Sequence, residues 1–208
     1  MLELKRFQQR LPTNQAIFFS LEPETNNVFY FYQEKIAPAV LIIPKKGKET
    51  LYIAGFEYER FKHLPNVKPL TRIKDVLKTL KGTVGYDQDH IPVPIYRKLK
   101  NKQDISKHIK QCRSIKTEAE LKLLKKAASL TKELFYDIFK RTWTHEEQIR
   151  RFILKWTAEH LCEPAFDPIV ASGADAANPH YQDTKRLKPG FCVIDYGIRY
   201  KGYRADVT

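Results

Sequence analysis

The sequence predicts two parts, an α/β part followed by an α+β part, and two observations support this fold class. Short β-branched or aromatic runs alternate with a helical pattern over residues 1–110, which favours an α/β layer arrangement. Two capping-box patterns then open long helices, and strand-like runs follow them. We place the predicted domains at 1–112 and 113–208, because a basic stretch meets the first capping box there.

The first part contains five predicted strands and one predicted helix. Apolar residues recur at i, i+3, i+4 and i+7 over 70–80, which predicts an amphipathic helix. Residues 45–49 are expected to join two strands as a hairpin loop. No group of catalytic residue types and no Gly-rich phosphate loop occurs here. The predicted strands are 16–21, 28–32, 39–44, 50–54 and 83–87.

The second part opens with two predicted helices. Thr117-Glu-Ala-Glu is a capping box that starts a helix ending near Arg141, and we expect Leu121, Leu124 and Ala128 to face a core.

Thr144-His-Glu-Glu repeats the capping pattern and predicts a second helix to about Leu161. A short strand, Pro-Ile-Val-Ala-Ser, follows at 168–172. A loop rich in small and turn residues then ends on Asn-Pro-His, and a Lys-Pro-Gly turn leads into a strand carrying Asp195.

The composition is that of a globular protein with an uneven charge. The 208 residues are 42% hydrophobic and 12% aromatic, and the formal net charge is +13. Residues 1–116 hold 22 Lys+Arg against 11 Asp+Glu, a difference of +11. Such an excess is compatible with a nucleic-acid or acidic partner. The lysines are dispersed and no nucleic-acid-binding motif accompanies them, which favours a solvated surface.

Cysteine usage and hydropathy predict a cytoplasmic protein. Cys112, Cys162 and Cys192 are odd in number and show no CxxC spacing, which fits reduced thiols. The charged N-terminus is not a secretory signal, and no stretch approaches the 18 or so apolar residues of a membrane span.

Asp195 and Asp206 are the strongest candidates for chemistry. They lie on two strand-like runs around a turn, and a turn centred on Tyr200 and Lys201 would place them directly opposite each other. Opposed side chains sit about 5 Å apart at Cβ, where two like charges are destabilising on their own. The pair therefore predicts a divalent cation site. In the alternative interpretation Asp195 caps a turn and Asp206 is solvated.

His180 is the second candidate. A neutral imidazole beside a metal-bound hydroxide can donate to a substrate carbonyl or stabilise developing charge. The alternative is an exposed loop histidine. His145 begins a His-Glu-Glu sequence that lacks the second histidine of a zincin helix, so that motif is excluded.

The segment EPAFDPIVASGADAANPHY, followed by LKPGFCVIDYGIRYKGYRADVT, closely resembles the pita-bread (creatinase-fold) metallopeptidases of the Xaa-Pro aminopeptidase and prolidase branch. The resemblance covers roughly 114–208 well and 1–110 more weakly. It implies a creatinase-type N-terminal α/β domain followed by the first half of a pita-bread domain.

The resemblance also implies an activity and its residues. Asp195 and Asp206 would be ligands of a dinuclear site for Mn, Co or Zn, and His180 would contact the substrate. The implied substrate is a peptide with proline at its second position, cut before the proline. A metal-bridging hydroxide would attack the scissile carbonyl. Aminopeptidase and dipeptidase activity both stay open.

The family completes its metal site with a histidine and two glutamates on later strands, which this sequence does not contain. We therefore expect the chain alone to be inactive, with unpaired strand edges, unless a companion polypeptide supplies a C-terminal half. A split enzyme or a piece of a longer protein is preferred over a degenerate remnant, and a homo-oligomer is possible. The alternative function is a non-catalytic creatinase-fold module that binds nucleic acid or an acidic protein.

Overall fold

The computed structural model describes residues 2–21, 26–183 and 185–208, and the chain divides after Ile115 into two units. The first unit is an α/β layer structure and the second is α+β, so the predicted fold class is confirmed. The domain limits 1–112 and 113–208 stay a prediction.

The first unit is built on a six-stranded mixed sheet. Its strands are β1 (Gln15–Ser20), β2 (Ala39–Pro44), β3 (Thr50–Ala54), β4 (Val67–Leu70), β5 (Val84–Tyr86) and β6 (Lys102–Asp104). Their spatial order is β4-β3-β2-β1-β5-β6, with β1, β2 and β3 antiparallel and the outer pairings parallel. The hairpin predicted at 45–49 joins β2 to β3, as expected.

Helices cover both faces of this sheet. They are α1 (Leu2–Arg10), α2 (Asn26–Tyr32), α3 (Gly55–Phe61), α4 (Ile73–Lys78), α5 (Val93–Tyr96) and α6 (Ser106–Ser114). Successive side chains of β1 point to opposite faces of the sheet. Phe18 packs in one core with Phe7 and Phe31, and Ile17 packs in a second core with Val76. Both faces are buried, which explains why β1 and β2 are apolar throughout.

The strand predicted at 28–32 is wrong, because these residues form α2. Val28 and Phe31 lie one helical turn apart and are both buried. The Phe31 ring contacts Phe7 and Phe18, at centroid distances of 5.3 and 5.9 Å. Tertiary packing of the aromatic side chains therefore overrides their strand propensity. The helix predicted over 70–80 is shorter than expected, since Leu70 belongs to β4.

A buried carboxylate organises one end of the first unit. Asp87 Oδ2 accepts from Asn27 Nδ2 at 2.6 Å and pairs with His90 Nδ1 at 2.8 Å, while its Oδ1 accepts the Asp89 N–H at 3.2 Å. Burial raises the pKa of Asp87, but hydrogen bonds from Asn27, His90, Ser106 and Asp89 outweigh it. The pKa of Asp87 therefore lies below its ordinary value.

The lowered pKa of Asp87 predicts an acid-sensitive first unit. Its contribution to stability is complete above the unfolded-state pKa of 3.8 and is lost as pH falls through the lower folded-state pKa. Asp87→Asn should lower the free energy of unfolding by about 2 kcal/mol at neutral pH. This difference should shrink on acidification, as measured by urea unfolding at several pH values. Glu59→Gln, at an exposed carboxylate, is the control, and a difference independent of pH would contradict the prediction.

The second unit packs two helices on one face of a small sheet. Its elements are α7 (Glu118–Phe139), α8 (Glu146–Glu159), β7 (Glu163–Pro164), β8 (Ile169–Ser172), a 3-10 helix (Gly173–Ala177), β9 (Cys192–Tyr200) and β10 (Tyr203–Val207). Strand β9 is central: β10 pairs along one edge, and β8 and β7 pair in turn along the other. The core contains Leu130, Leu134, Ile138, Ile149, Ile153, Trp156, Val170, Tyr196 and Ile198.

The capping box that opens α7 is confirmed. The Glu120 N–H donates to Thr117 Oγ1 at 3.3 Å, and the Thr117 N–H donates to Glu120 Oε2 at 2.8 Å. The other carboxylate oxygen accepts from the Tyr203 hydroxyl at 3.2 Å. Glu120 therefore ties the start of α7 to β10.

The core face predicted for α7 is wrong. Leu121 and Ala128 are exposed and Leu124 is only partly buried. Helix α7 carries two apolar stripes, and the sheet covers the one formed by Ala127, Leu130, Leu134 and Ile138. Periodicity alone does not say which stripe faces the sheet.

The N-cap of the second helix lies one residue later than predicted, at His145 instead of Thr144. His145 is the N-cap, and the Gln148 side chain accepts from the N–H groups of Thr144 at 2.9 Å and His145 at 3.2 Å. Glu146 is consequently the first helical residue and Glu147 the second.

Two expectations from composition concern cysteines and membranes. Cys112, Cys162 and Cys192 are all free thiols. Within the described part of the chain, every helix is too short or too polar to cross a bilayer.

Candidate metal centre

The β9–β10 hairpin turns at Lys201 and Gly202. Both residues have positive φ, 46° and 84°, which is typical of a two-residue type I′ turn. Tyr200 therefore pairs with Tyr203, and Gly197 pairs with Asp206. The predicted turn centre at Tyr200 and Lys201 is wrong, because glycine favours the second turn position in this turn type.

Asp195 and Asp206 are diagonal neighbours on one face of the sheet. Asp195 precedes Gly197 by two residues, so it shares a face with Gly197 and with Asp206 opposite it. Diagonal pairs lie about 7–8 Å apart, rather than the roughly 5 Å of the predicted direct opposition. Tyr196 and Ile198 face the helices, so the two carboxylates lie on the face turned away from them.

The surroundings of the two carboxylates differ. Asp195 is partly buried, and its Oδ1 accepts from Thr208 Oγ1 at 2.8 Å. Asp206 is exposed, and Gly197 opposite it contributes no side chain. No side chain at position 197 therefore lies against Asp206.

Gly197 is required by close packing rather than by its φ angle. A Cβ atom at this position would lie 2.2 Å from the Ala205 carbonyl oxygen and 2.9 Å from Ala165 Cβ. Ala205 lies in β10 and Ala165 directly follows β7, and the Ala165 N–H donates to the Gly197 carbonyl at 2.9 Å. The absence of a side chain therefore keeps the strands together where the carboxylates project.

His180 lies on the segment between the 3-10 helix and β9. Its side chain is exposed, and its N–H donates to Asn178 Oδ1 at 3.0 Å. His180 lines a cleft of about 340 Å³ whose walls include Ile169, and Ile169 pairs directly with Asp195. The cleft therefore reaches the strand position beside one carboxylate. Arg150, held to Asp167 by contacts of 2.7 and 2.8 Å, lines the same cleft.

Asp195 and Asp206 are the type of ligand that a divalent metal ion takes, but two carboxylates are fewer ligands than such an ion needs. Asp195 and Asp206 supply hard oxygen donors, which suit Mn, Co or Zn. Over 2–21, 26–183 and 185–208, however, no group of three or more His, Cys, Asp or Glu side chains comes together. The two carboxylates would therefore supply only part of the ligand set of a metal ion.

Glu146 is a residue of this region that no sequence motif indicated. Its carboxylate accepts four hydrogen bonds, from groups of Ser172, Tyr181 and Lys185. In the sequence it is one of two adjacent glutamates at a helix start, where acidic residues are common. Only its contacts with distant segments distinguish it from Glu147.

Two protein families match the chain. Residues 4–115 match the Creatinase/Prolidase N-terminal domain, and residues 122–208 match Metallopeptidase family M24. The Xaa-Pro dipeptidase of Pyrococcus furiosus is 30% identical over 203 residues, covering 88% of this chain and 56% of that protein.

Solved structures share the fold. The prolidase from Pyrococcus furiosus superposes with a TM-score of 0.83 at 25% identity, covering 99% of this chain and 68% of that one. The X-Pro aminopeptidase from Thermotoga maritima also gives 0.83, at 21% identity, covering 97% of this chain and 63% of that one.

The chain thus spans 56% of the length of the curated Pyrococcus furiosus relative. Membership of a metallopeptidase family implies divalent metal ions as cofactors. The chain belongs to the creatinase-fold, or pita-bread, metallopeptidase family in its Xaa-Pro aminopeptidase and prolidase branch.

Proposed function

We propose that this chain is the N-terminal part of a metal-dependent peptidase that hydrolyses the bond before proline. Asp195 and Asp206 are its metal ligands, and His180 contacts the substrate. One observation supports this most: both aspartates project from the same face of the β9–β10 hairpin, away from the helices. The names of the relatives, Xaa-Pro dipeptidase and X-Pro aminopeptidase, support the substrate class, a peptide with proline at its second position.

Each residue has a distinct role in this proposal. The Asp195 and Asp206 carboxylates hold one side of the metal site, and the bound ions supply Lewis-acid polarisation of the scissile carbonyl. His180, exposed in its cleft, donates a hydrogen bond to the substrate oxygen that gains negative charge. Since two carboxylates are too few for two ions, the other ligands come from further residues of a longer protein or from a companion polypeptide.

The proposal predicts that Asp206→Asn abolishes most activity. An amide cannot replace the charge of a carboxylate ligand, and even loss of an outer-shell partner typically costs roughly ten- to a hundred-fold in metal affinity or activity. We expect kcat/KM on a Xaa-Pro dipeptide to fall by about a hundred-fold or more. The assay uses the full-length protein with Mn²⁺, Co²⁺ or Zn²⁺, with and without a supplied C-terminal half.

Asp75→Asn is the matched control, since this partly exposed carboxylate pairs with Arg72 and Lys78 in the first unit. Its kcat/KM should equal that of the unmodified protein. The proposal is wrong if the unmodified protein with a complete ligand set cleaves no Xaa-Pro peptide. It is also wrong if Asp206→Asn is as active as the control. A tripeptide substrate in parallel distinguishes aminopeptidase from dipeptidase activity.

A second candidate function uses the basic first unit as a binding module for an acidic protein or nucleic acid. A cavity of about 720 Å³ lies between α4 and the segment after α5, with Leu77, Leu80, Val84 and Leu99 among its apolar lining. Lysines 74, 78, 98 and 100 surround it. An apolar floor with a cationic rim fits an acidic segment with apolar side chains better than a nucleic acid.

The test for this second function is retention of an acidic peptide and of RNA on the protein at increasing salt. Electrostatic binding should weaken as salt rises. Replacing Lys98 and Lys100 together with glutamine should reduce retention of the acidic peptide. No retention of either ligand at low salt would exclude the binding-module function.

A further inference from the structure

Glu146 is a completely buried carboxylate at the start of α8. Its Oε1 accepts from the Ser172 N–H at 2.8 Å and from Ser172 Oγ at 2.7 Å. Its Oε2 accepts from the Tyr181 hydroxyl at 2.9 Å and from the Lys185 N–H at 2.8 Å. Four donors from three separated positions therefore converge on one side chain.

These donors stabilise the ionised form of Glu146. Burial raises the pKa of this carboxyl group, but the hydrogen bonds from Ser172, Lys185 and Tyr181 together outweigh burial, and the pKa lies below its ordinary value. The N-terminus of the 14-residue helix α8 adds a favourable partial positive charge. At neutral pH Glu146 is therefore ionised, and both of its carboxylate oxygens accept hydrogen bonds from protein donors.

Two of the anchored positions belong to the segment that carries His180. Tyr181 is its immediate neighbour, and the N–H groups of His180 and Tyr181 both donate to Asn178, at 3.0 and 3.2 Å. Lys185 is fixed twice, because the Glu146 N–H also donates to its carbonyl at 2.9 Å. The His180 segment is therefore attached to the start of α8 on the C-terminal side of the histidine.

The third anchored position belongs to the strand beside Asp195. Ser172 ends β8, three residues after Ile169, which pairs with Asp195. Ser172 Oγ also accepts the Lys188 N–H at 3.0 Å, which extends the network toward β9. One buried carboxylate thus joins the histidine segment to the strand that borders the candidate metal ligand.

We propose that Glu146 is a positioning residue that fixes His180 relative to Asp195 by tying the His180 segment to the end of β8. The proposal rests on the proposed function of His180. It assigns Glu146 no contact with substrate or metal.

The first experiment measures hydrogen exchange at the backbone amides of His180 and Tyr181 in Glu146→Gln. A glutamine presents one oxygen and one NH₂ group, so it cannot accept from both Ser172 and Lys185 as the carboxylate does. Neither amide bonds to Glu146 directly, so their exchange reports the order of the backbone segment around His180. We expect exchange of the two amides to become at least about ten-fold faster, because this segment loses part of its attachment to Glu146. Glu159→Gln, the same change at the other end of α8, should leave the exchange unchanged.

The second experiment measures peptidase kinetics of Glu146→Gln, His180→Gln and the double variant in the full-length protein with Mn²⁺. We expect kcat to fall about ten-fold in Glu146→Gln, and the double variant to be no slower than His180→Gln within about two-fold. Residues that act through one another show such non-additivity, whereas a merely structural effect of Glu146 would multiply with the loss of His180. Tyr181→Phe, which removes a single hydrogen bond, should give a smaller change in both measurements, and it replaces Glu146→Gln if that variant does not fold.

The outcomes separate this proposal from the proposed function. Unchanged exchange at His180 and Tyr181 in Glu146→Gln overturns the positioning role, whatever the activity. Multiplicative losses in the double variant overturn it as well. If the unmodified protein shows no peptidase activity but the amides exchange faster in Glu146→Gln, the proposed function fails while the attachment of the segment by Glu146 stands.

Discussion

Replacing Gly197 with alanine is expected to lower the free energy of unfolding of the second unit by about 3 kcal/mol. The new Cβ would lie 2.2 Å from the Ala205 carbonyl oxygen and 2.9 Å from Ala165 Cβ, so β10 or β7 must move away from β9. Moving β10 also displaces Asp206, which pairs with Gly197. We therefore expect the variant to lose affinity for Mn²⁺ as well as stability.

Tryptophan fluorescence measures this effect in the relevant unit. The chain has two tryptophans, Trp143 and Trp156, and both belong to the second unit. Urea unfolding followed by their emission gives the midpoint and the slope for that unit. Gly55→Ala lies in the first unit, where nothing is within 4 Å of the added Cβ and φ is not positive, so as a control it should leave the tryptophan transition of the second unit unchanged. A loss below about 1 kcal/mol in Gly197→Ala would show that the strands relax at little cost.

The hairpin shows how far a local pattern carries a site prediction. The sequence predicted two strands, a turn and an aspartate on each strand, and the structure contains all of these. The register was wrong because two adjacent dipeptides could form the turn, and the choice depends on positive φ at Lys201 and Gly202. The predicted turn would pair Asp206 with Asp195, whereas the observed turn pairs it with Gly197, two residues further along β9. Because side chains two residues apart in a strand share a face, Asp195 and Asp206 still lie on one face of the sheet.

The role of Glu146 depends on contacts that no local pattern contains. Its three partners, Ser172, Tyr181 and Lys185, lie 26 to 39 residues away in sequence. A glutamate at the start of a helix is ordinarily a solvated residue whose negative charge interacts favourably with the helix dipole. The burial of this one follows from the tertiary arrangement of α8 and β8, which is why the sequence predicted a helix here, with its cap one residue early, but not the network.

Helix α7 gives a direct test of which apolar stripe stabilises the second unit. The sequence pattern favoured the stripe containing Leu121, but Leu121 is 44% exposed, whereas Leu134 on the other stripe is fully buried among Ile153 and Tyr196. Leu134→Ala should lower the free energy of unfolding by about 3 kcal/mol, from lost burial and the cavity left behind.

Leu121→Ala is the matched variant, with the same atoms removed from the same helix, and it should change the free energy of unfolding by less than about 0.5 kcal/mol. Both values come from urea unfolding followed by tryptophan fluorescence, since Trp156 packs in the same core as Leu134. Equal losses in the two variants would mean that the Leu121 stripe is also covered in solution. The difference between them therefore reports the packing of α7 on the sheet that carries Asp195 and Asp206.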